Sequence, residues 1–85
     1  MKHSPLCTRD DGRTVYFTVS HDGAKYRLTL SGAFLDAECG ADADEASRKA
    51  WVGDRLPDIL GVLTARTGGG RVKPPFGDVM VEEIT

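Results

Sequence analysis

Two segments in the first half of the chain alternate between apolar and polar residues, the pattern of half-buried β-strands. They cover residues 14–20 and 25–31. Between them lies Asp22-Gly23, a favoured central pair for a type I′ turn, because both central positions of that turn need a positive φ. The pattern therefore predicts a β-hairpin.

The turn predicts which residues of the two strands lie opposite each other. With Asp22-Gly23 as a two-residue loop, apolar residues meet on one face, and polar residues meet on the other together with Tyr16. A shift of one residue would turn the apolar face of one strand towards solvent. The expected pairs are Val19–Tyr26, Phe17–Leu28 and Val15–Leu30 on the apolar face, and Ser20–Lys25, Thr18–Arg27 and Tyr16–Thr29 on the polar face.

The segment after the hairpin has the end signals of a short helix. Ser31 suits the N-cap position, and Gly40 suits the position just beyond the last helical residue. A helix between these two residues would direct Phe34 and Leu35 towards the sheet. The sequence therefore predicts a helix over residues 32–39.

A longer helical pattern follows, and Asp42 or Asp44 would cap it, because an acidic side chain is favourable at the positive end of a helix dipole. Pro57 interrupts the pattern, since its ring removes one helical hydrogen bond. One bent helix over residues 45–66, or two helices divided near residues 54–56, would accommodate the proline. The continuous apolar stripe favours the bent helix. The stripe consists of Ala46, Ala50, Leu56, Ile59, Leu60 and Leu63, with Val52 and Trp51 beside it.

The remaining segments complete the predicted architecture. Residues 1–13 have no periodicity and are interpreted as a flexible N-terminal arm. Residues 67–77 form a connector rich in Gly and Pro, and residues 78–84 have the composition of a last strand. The sequence therefore predicts a single α+β domain over residues 14–85. Its expected order is β-β-α-α-β, a three-stranded antiparallel sheet with helices packed on one face.

The order of these elements resembles a known family. A hairpin that begins with Val15-Tyr16-Phe17-Thr18, a brief helix, a capped helix with Trp51 and Arg55-x-x-x-Ile59, and a final strand are similar to the small bacterial domain-of-unknown-function family 1488. The likeness covers residues 13–84. It implies a soluble α+β domain and no activity, because that family has no established reaction. The chain departs from the family pattern at Pro57, at the glycines of residues 68–70 and at Pro74-Pro75.

Composition narrows the classes of protein to which the chain can belong. Its 85 residues allow one domain, and 40% of them are hydrophobic, more than a disordered chain carries. No apolar stretch approaches the roughly 18 residues of a membrane-spanning helix. A net charge of −2 argues against non-specific binding of nucleic acid, which needs a positive surplus.

Cysteine usage indicates the compartment. Cys7 and Cys39 are too few for an extracellular disulfide framework, and the first thirteen residues contain no apolar signal-peptide segment. The sequence therefore predicts a cytoplasmic protein with two thiols. A single disulfide between the arm and the domain is the alternative.

The chain contains histidine, cysteine and acidic residues, but none of them form a recognisable metal-binding or catalytic motif. His3 and His21 have no cysteine or histidine at metal-ligand spacing. Cys39, His21 and Asp22 would suit nucleophilic catalysis only if the fold brought them into one pocket. We therefore expect a non-enzymatic protein without metal or cofactor. The acidic stretch also lacks a calcium-loop pattern, and its members are Asp36, Glu38, Asp42, Asp44 and Glu45.

The hairpin's polar face is the first candidate binding surface, with Tyr16, Thr18, Arg27 and Thr29. Exposed sheet edges favour association with a second copy. Charges are also segregated along the chain: residues 32–47 carry only acidic charges, and residues 48–73 are net positive. Opposite patches favour a charged partner. The predicted function is a protein–protein interaction or self-associating module, with a homodimer expected.

A second candidate surface is the basic loop after the long helix. Arg66, Arg71 and Lys73 flank three glycines, whose amides could contact an anion. The glycines follow a helix, however, so the negative end of its dipole lies there. The alternative function is therefore a nucleic-acid-binding accessory protein that uses residues 66–73.

Overall fold

The computed structural model describes residues 2–84; Met1 of the predicted arm and Thr85 of the predicted domain lie outside the described residues. An antiparallel sheet is combined with three α-helices. The strands are β1 (Lys2–His3), β2 (Cys7–Arg9), β3 (Thr14–His21), β4 (Ala24–Leu30) and β5 (Met80–Glu83). The helices are α1 (Gly32–Cys39), α2 (Glu45–Asp54) and α3 (Leu56–Gly68), and a 3₁₀ turn spans Phe76–Asp78.

The central hairpin has the register that its turn predicts. Strands β3 and β4 pair antiparallel, with Phe17 opposite Leu28 and every other predicted pair in place. Asp22 has a φ of 51° and Gly23 a φ of 79°, so both central residues have the positive φ of a type I′ turn. The α+β class and the hairpin register are thus confirmed.

The prediction of a three-stranded sheet was wrong, because the segment interpreted as an arm supplies two further strands. Strands β1 and β2 both pair with β3, on the side away from β4. Asp10, Asp11 and Gly12, all with positive φ, turn the chain from β2 into β3. Four strands therefore precede the helices, and β5 joins the far side of β4. The predicted order β-β-α-α-β omitted the first two strands and one helix.

The predicted caps define the ends of the first two helices. Ser31 Oγ accepts a hydrogen bond from the Phe34 N–H at 3.1 Å, and Gly40, with a φ of 103°, follows the last residue of α1. Of the two acids proposed to cap the next helix, Asp44 does so, since its carboxylate accepts from the Ser47 N–H at 2.8 Å. Local capping chemistry thus sets where these helices begin.

The single bent helix favoured by the apolar stripe was wrong, because residues 45–68 form two helices. Arg55 leaves the helical conformation at the junction, with φ −115° and ψ 15°. Pro57 then lies in the first turn of α3. A proline there costs no helical hydrogen bond, whereas in a helix interior it costs about 3 kcal/mol. The division thus removes the conflict that the bent helix would retain.

The apolar core lies between the helices and one face of the sheet, here called the inner face. Trp51 covers its edge, with its ring 5.8 Å from the Phe34 ring and 6.0 Å from the Phe76 ring, centroid to centroid. The largest fully buried apolar side chains are Val15, Phe17, Val19, Leu28, Leu30, Leu35, Val52, Ile59, Val62, Leu63 and Val79. Since these residues take up the inner face, the outer face of the sheet forms a separate surface.

One charged side chain, Arg48 of α2, is fully buried at 1% exposure. Its guanidinium donates to the Asp36 carboxylate at 2.7 Å and to the main-chain carbonyls of Ala43 at 2.8 Å and Arg13 at 3.2 Å. The carbonyls of residues 32, 40 and 41 lie within 3.5 Å of it as well. Arg48 therefore joins α2 to α1, to the link between them and to the turn before β3.

We expect acid to destabilise the fold through Asp36 and Asp44. The hydrogen bond from Arg48 lowers the pKa of Asp36, and hydrogen bonds from Ser47 lower the pKa of Asp44. Both carboxyls thus bind a proton less readily in the folded than in the unfolded protein. Their stabilisation is complete above the ordinary aspartate pKa and is lost as the pH falls through the lowered folded values.

Urea denaturation at a series of acidic pH values measures this effect. Asp44→Asn, which retains a capping oxygen, should reduce the decline of unfolding free energy with falling pH. Asp36→Asn should reduce it as well. A decline as steep in both variants as in the unchanged protein would contradict the assignment.

Candidate functional site

The outer face of the sheet gathers side chains from neighbouring strands. Residues directly opposite each other in a sheet share a face. Tyr16 lies opposite Cys7 on one side and Thr29 on the other, and Thr29 in turn lies opposite Met80. The structure thus places the predicted residues Tyr16, Thr18, Arg27 and Thr29 together on this face.

A groove of about 490 Å³ lies at one end of the outer face. This volume falls within the range of about 300–1,000 Å³ found for small-molecule sites. Strand β2, strand β4, helix α3 and the segment from Gly77 to Glu82 all contribute to its lining. The side chains that matter most to its chemistry are Arg9, Thr29, Arg66, Asp78, Met80 and Glu82. We call this the outer-face groove.

Two arginines of the groove are held in place by neighbouring groups. Arg66 Nη2 donates to the carbonyl of Gly77 at 2.9 Å and to the carbonyl of Val79 at 3.4 Å. The guanidinium of Arg9 lies over the ring of Tyr16, 5.3 Å from its centroid, which is a cation–π contact. These contacts hold both guanidinium groups in position before any ligand binds.

Thr29 lies in the groove lining and is 1% exposed. Among residues 2–84, its Oγ1 is the one buried side-chain polar atom without a hydrogen-bond partner. A buried hydroxyl without a partner is unfavourable, and such groups are rare in folded proteins. Thr29 therefore marks a position where a hydrogen bond could still form.

The groove brings together only some of the residues predicted for binding. Thr29 and Arg66 both line it, whereas Arg71 and Lys73 do not. The Lys73 ammonium lies 3.7 Å from the Asp58 carboxylate. Arg66 and Lys73 thus both have contacts within the protein, and the nucleic-acid alternative that rests on residues 66–73 stays a prediction.

Sequence reasoning missed Arg9 and Met80. Arg9 lies in β2, within the segment interpreted as an arm. The dipeptide Asp11-Gly12 has the same turn signature as Asp22-Gly23. This signature would have indicated that a strand precedes residue 11 and pairs with β3. Met80 is 49% exposed and begins β5, whose alternation is too short to show which face each residue takes.

The residues considered for catalysis do not line this groove. His21 Nε2 lies 3.4 Å from the Asp22 carboxylate at the hairpin end, and Cys39 is the last residue of α1. Burial raises the pKa of the Cys39 thiol, which makes its reactive thiolate less available. Cys7 and Cys39 are not joined by a disulfide.

Metal-binding clusters and membrane-spanning helices are both absent from the part of the chain that the structure describes. Residues 2–84 contain no group of three or more His, Cys, Asp or Glu side chains that could hold a metal ion. Over the same residues, every helix is too short or too polar to cross a bilayer.

Comparisons of the chain with models of protein families, with curated proteins and with solved structures find no match. The resemblance to domain-of-unknown-function family 1488 thus stays a prediction.

Proposed function

We propose that the protein is a non-enzymatic protein-interaction module, which adds an extended, basic segment of a partner protein to the open edge of β5. The observation that carries this proposal is the position of β5, which pairs with β4 on one side and has no strand partner among residues 2–84 on the other. Open sheet edges bind extended peptides through main-chain hydrogen bonds.

The register of β5 identifies the main-chain groups at the open edge. The Ile84 N–H donates to the Lys25 carbonyl at 2.8 Å, so that residue bonds towards β4. Bonding direction alternates along an antiparallel strand. Glu82 therefore also bonds towards β4, while Val81 and Glu83 direct their N–H and C=O groups outward. An incoming strand would find two donor–acceptor sets there.

Charge beside the edge favours a basic partner. Glu82 and Glu83 are both exposed and lie on opposite faces of β5. Glu82 already lies 3.4 Å from the Arg27 guanidinium, so Lys or Arg on an incoming strand would pair with Glu83. A second copy of β5 would instead bring like charges together, which is destabilising. We therefore place a basic segment, rather than a second copy, at this edge.

The opposite edge of the sheet is less suited to strand addition. It consists of β1 and β2, which are two and three residues long and are separated by a segment that contains Pro5. Short, interrupted strands are a common protection of sheet edges. A partner strand would thus find its longer continuous template at β5.

Fluorescence anisotropy with a labelled peptide of alternating Lys and Val tests the proposal. We expect saturable binding that weakens with salt, because part of the affinity is electrostatic. A peptide of alternating Glu and Val should not bind. Glu83→Gln should weaken binding a few-fold by removing one charge. Glu83→Pro also removes an outward N–H and should weaken binding by about tenfold more.

Two results would contradict this proposal. The first is equal affinity of Glu83→Gln and Glu83→Pro for the Lys-Val peptide, since the main-chain edge would then not be used. The second is a dimer, detected by light scattering without peptide, that Glu83→Pro converts to a monomer. That result would place a second copy at the edge, as the sequence analysis expected.

A further inference from the structure

We infer that the outer-face groove binds a small carboxylate attached to an apolar or aromatic body. This inference does not depend on strand addition at β5, because it concerns side chains on the outer face rather than the main-chain edge. It rests on the charges of the lining, the position of Arg66, the hydroxyl of Thr29 and the exposed side chain of Met80.

The charges of the lining favour a single negative charge on the ligand. Arg9 and Arg66 supply two cations, and Asp78 and Glu82 supply two anions. Glu82 is already compensated, since its carboxylate lies 3.4 Å from the Arg27 guanidinium. A polyanion such as nucleic acid would meet Asp78 without a matching surplus of cations. One carboxylate needs only one guanidinium.

Arg66 is the better placed of the two cations to receive the carboxylate. Its hydrogen bonds to Gly77 and Val79 both use Nη2. A guanidinium has five N–H donors, so Nε and Nη1 remain for a ligand. Because the main chain already holds this side chain against the groove, little rotamer freedom is lost when a ligand binds.

The hydroxyl of Thr29 supplies a neutral donor in the same groove. Its Oγ1 has no hydrogen-bond partner among the described residues. Because Thr29 is 1% exposed, a carboxylate oxygen would reach this hydroxyl only by displacing the groups that cover it. It would then accept the hydroxyl proton and give this buried group the partner that it lacks. A guanidinium and a hydroxyl together match the two oxygens of one carboxylate.

The exposed side chain of Met80 would contact the body of the ligand. Met80 lies opposite Thr29 and lines the groove with it, whereas the side chains of Val79 and Val81 pack in or against the core. Met80 is 49% exposed, and an unbranched methionine adapts to ligands of different shapes. Covering this side chain would remove apolar surface from water, which favours a ligand with an aromatic ring.

Titration with 2-naphthoate, followed by the backbone amide signals in NMR, tests the inference. We expect saturable shifts at residues 9, 29 and 77–82, with a dissociation constant of about 1 mM, typical of a ligand with a dozen or so heavy atoms. The neutral 2-naphthamide should not bind, because it lacks the charge. Acetate should bind more weakly, because it lacks the ring, and naphthyl phosphate should bind no better than 2-naphthoate.

Variants separate the groove from the rest of the surface. Arg66→Gln should weaken 2-naphthoate binding about tenfold, and Thr29→Val should weaken it several-fold while the fold is retained. The control Arg71→Gln removes a nearby cation outside the groove and should not change affinity. Glu83→Pro should leave 2-naphthoate binding unchanged, which distinguishes this site from the β5 edge.

Three results would overturn the inference. These are an absence of saturation well above about 1 mM, equal affinity for 2-naphthoate and 2-naphthamide, and equal affinity in the unchanged protein, Arg66→Gln and Thr29→Val. A fourth such result is tighter binding of naphthyl phosphate than of 2-naphthoate, because it would show that the groove selects a dianion rather than a carboxylate.

Discussion

Replacing Arg48 with methionine is expected to lower the free energy of unfolding by about 3–5 kcal/mol. Methionine can fill much of the volume that the Arg48 side chain occupies, but it donates no hydrogen bond. The Asp36 carboxylate would lose its 2.7 Å partner, and main-chain carbonyls, including those of Ala43 and Arg13, would lose a donor. This loss is a large part of the about 5–15 kcal/mol that stabilises a typical domain.

Urea denaturation followed by circular dichroism measures this loss. The matched control is Lys49→Met, which removes a cation from the next position of the same helix and should change stability by about 0.5 kcal/mol or less. If the methionine variant does not fold, Arg48→Lys provides a milder test, since lysine keeps the charge and part of the hydrogen bonding. Equal stabilities for both Arg48 variants and the control would contradict a joining role for Arg48.

Gly12→Ala is expected to cost about 2–4 kcal/mol of unfolding free energy, and Gly23→Ala about 1–2 kcal/mol. Both glycines have a left-handed φ, 84° and 79°, which strains alanine in each case. Only at Gly12 would the added Cβ meet another segment, since it would lie 2.9 Å from the Cβ of Glu45; at Gly23 nothing lies within 4 Å.

The two glycine variants share the backbone strain. The difference between their losses of unfolding free energy therefore measures the contact between the β2–β3 turn and the start of α2. The Thr8 hydroxyl also donates to the Glu45 carboxylate, so the same helix end is held from two positions. Thermal and urea unfolding of both variants measure the difference. An equal loss in Gly12→Ala and Gly23→Ala would show that backbone strain alone determines the cost and that the turn can move away from α2.

The parts of the fold that could be predicted are those encoded within a few residues. The hairpin follows from Asp22-Gly23 and the alternation on either side, and α1 follows from Ser31 and Gly40. The division at Pro57 could not be settled in the same way. The proline and the continuous apolar stripe favoured different structures, and only the packing of the two helices decides between them.

The candidate site was predictable to the extent that the hairpin register determined it. Tyr16 and Thr29 follow directly from that register and do share the outer face. The contribution of Arg9 depends on strand pairing with the segment interpreted as an arm. That Arg66 lines the same groove as Thr29 depends on hydrogen bonds to Gly77 and Val79, across a loop whose path no local pattern determines.

By itself, the sequence determined the α+β class, the hairpin register and the caps of α1, because turn geometry, capping and alternation act between residues close in the chain. Only the tertiary structure decided that residues 2–3 and 7–9 join the sheet, that Arg48 is buried and that Arg66 and Thr29 line one groove. Each of these depends on contacts between distant segments. The free energy of such contacts comes from pairing and burial that form only when the whole chain has folded.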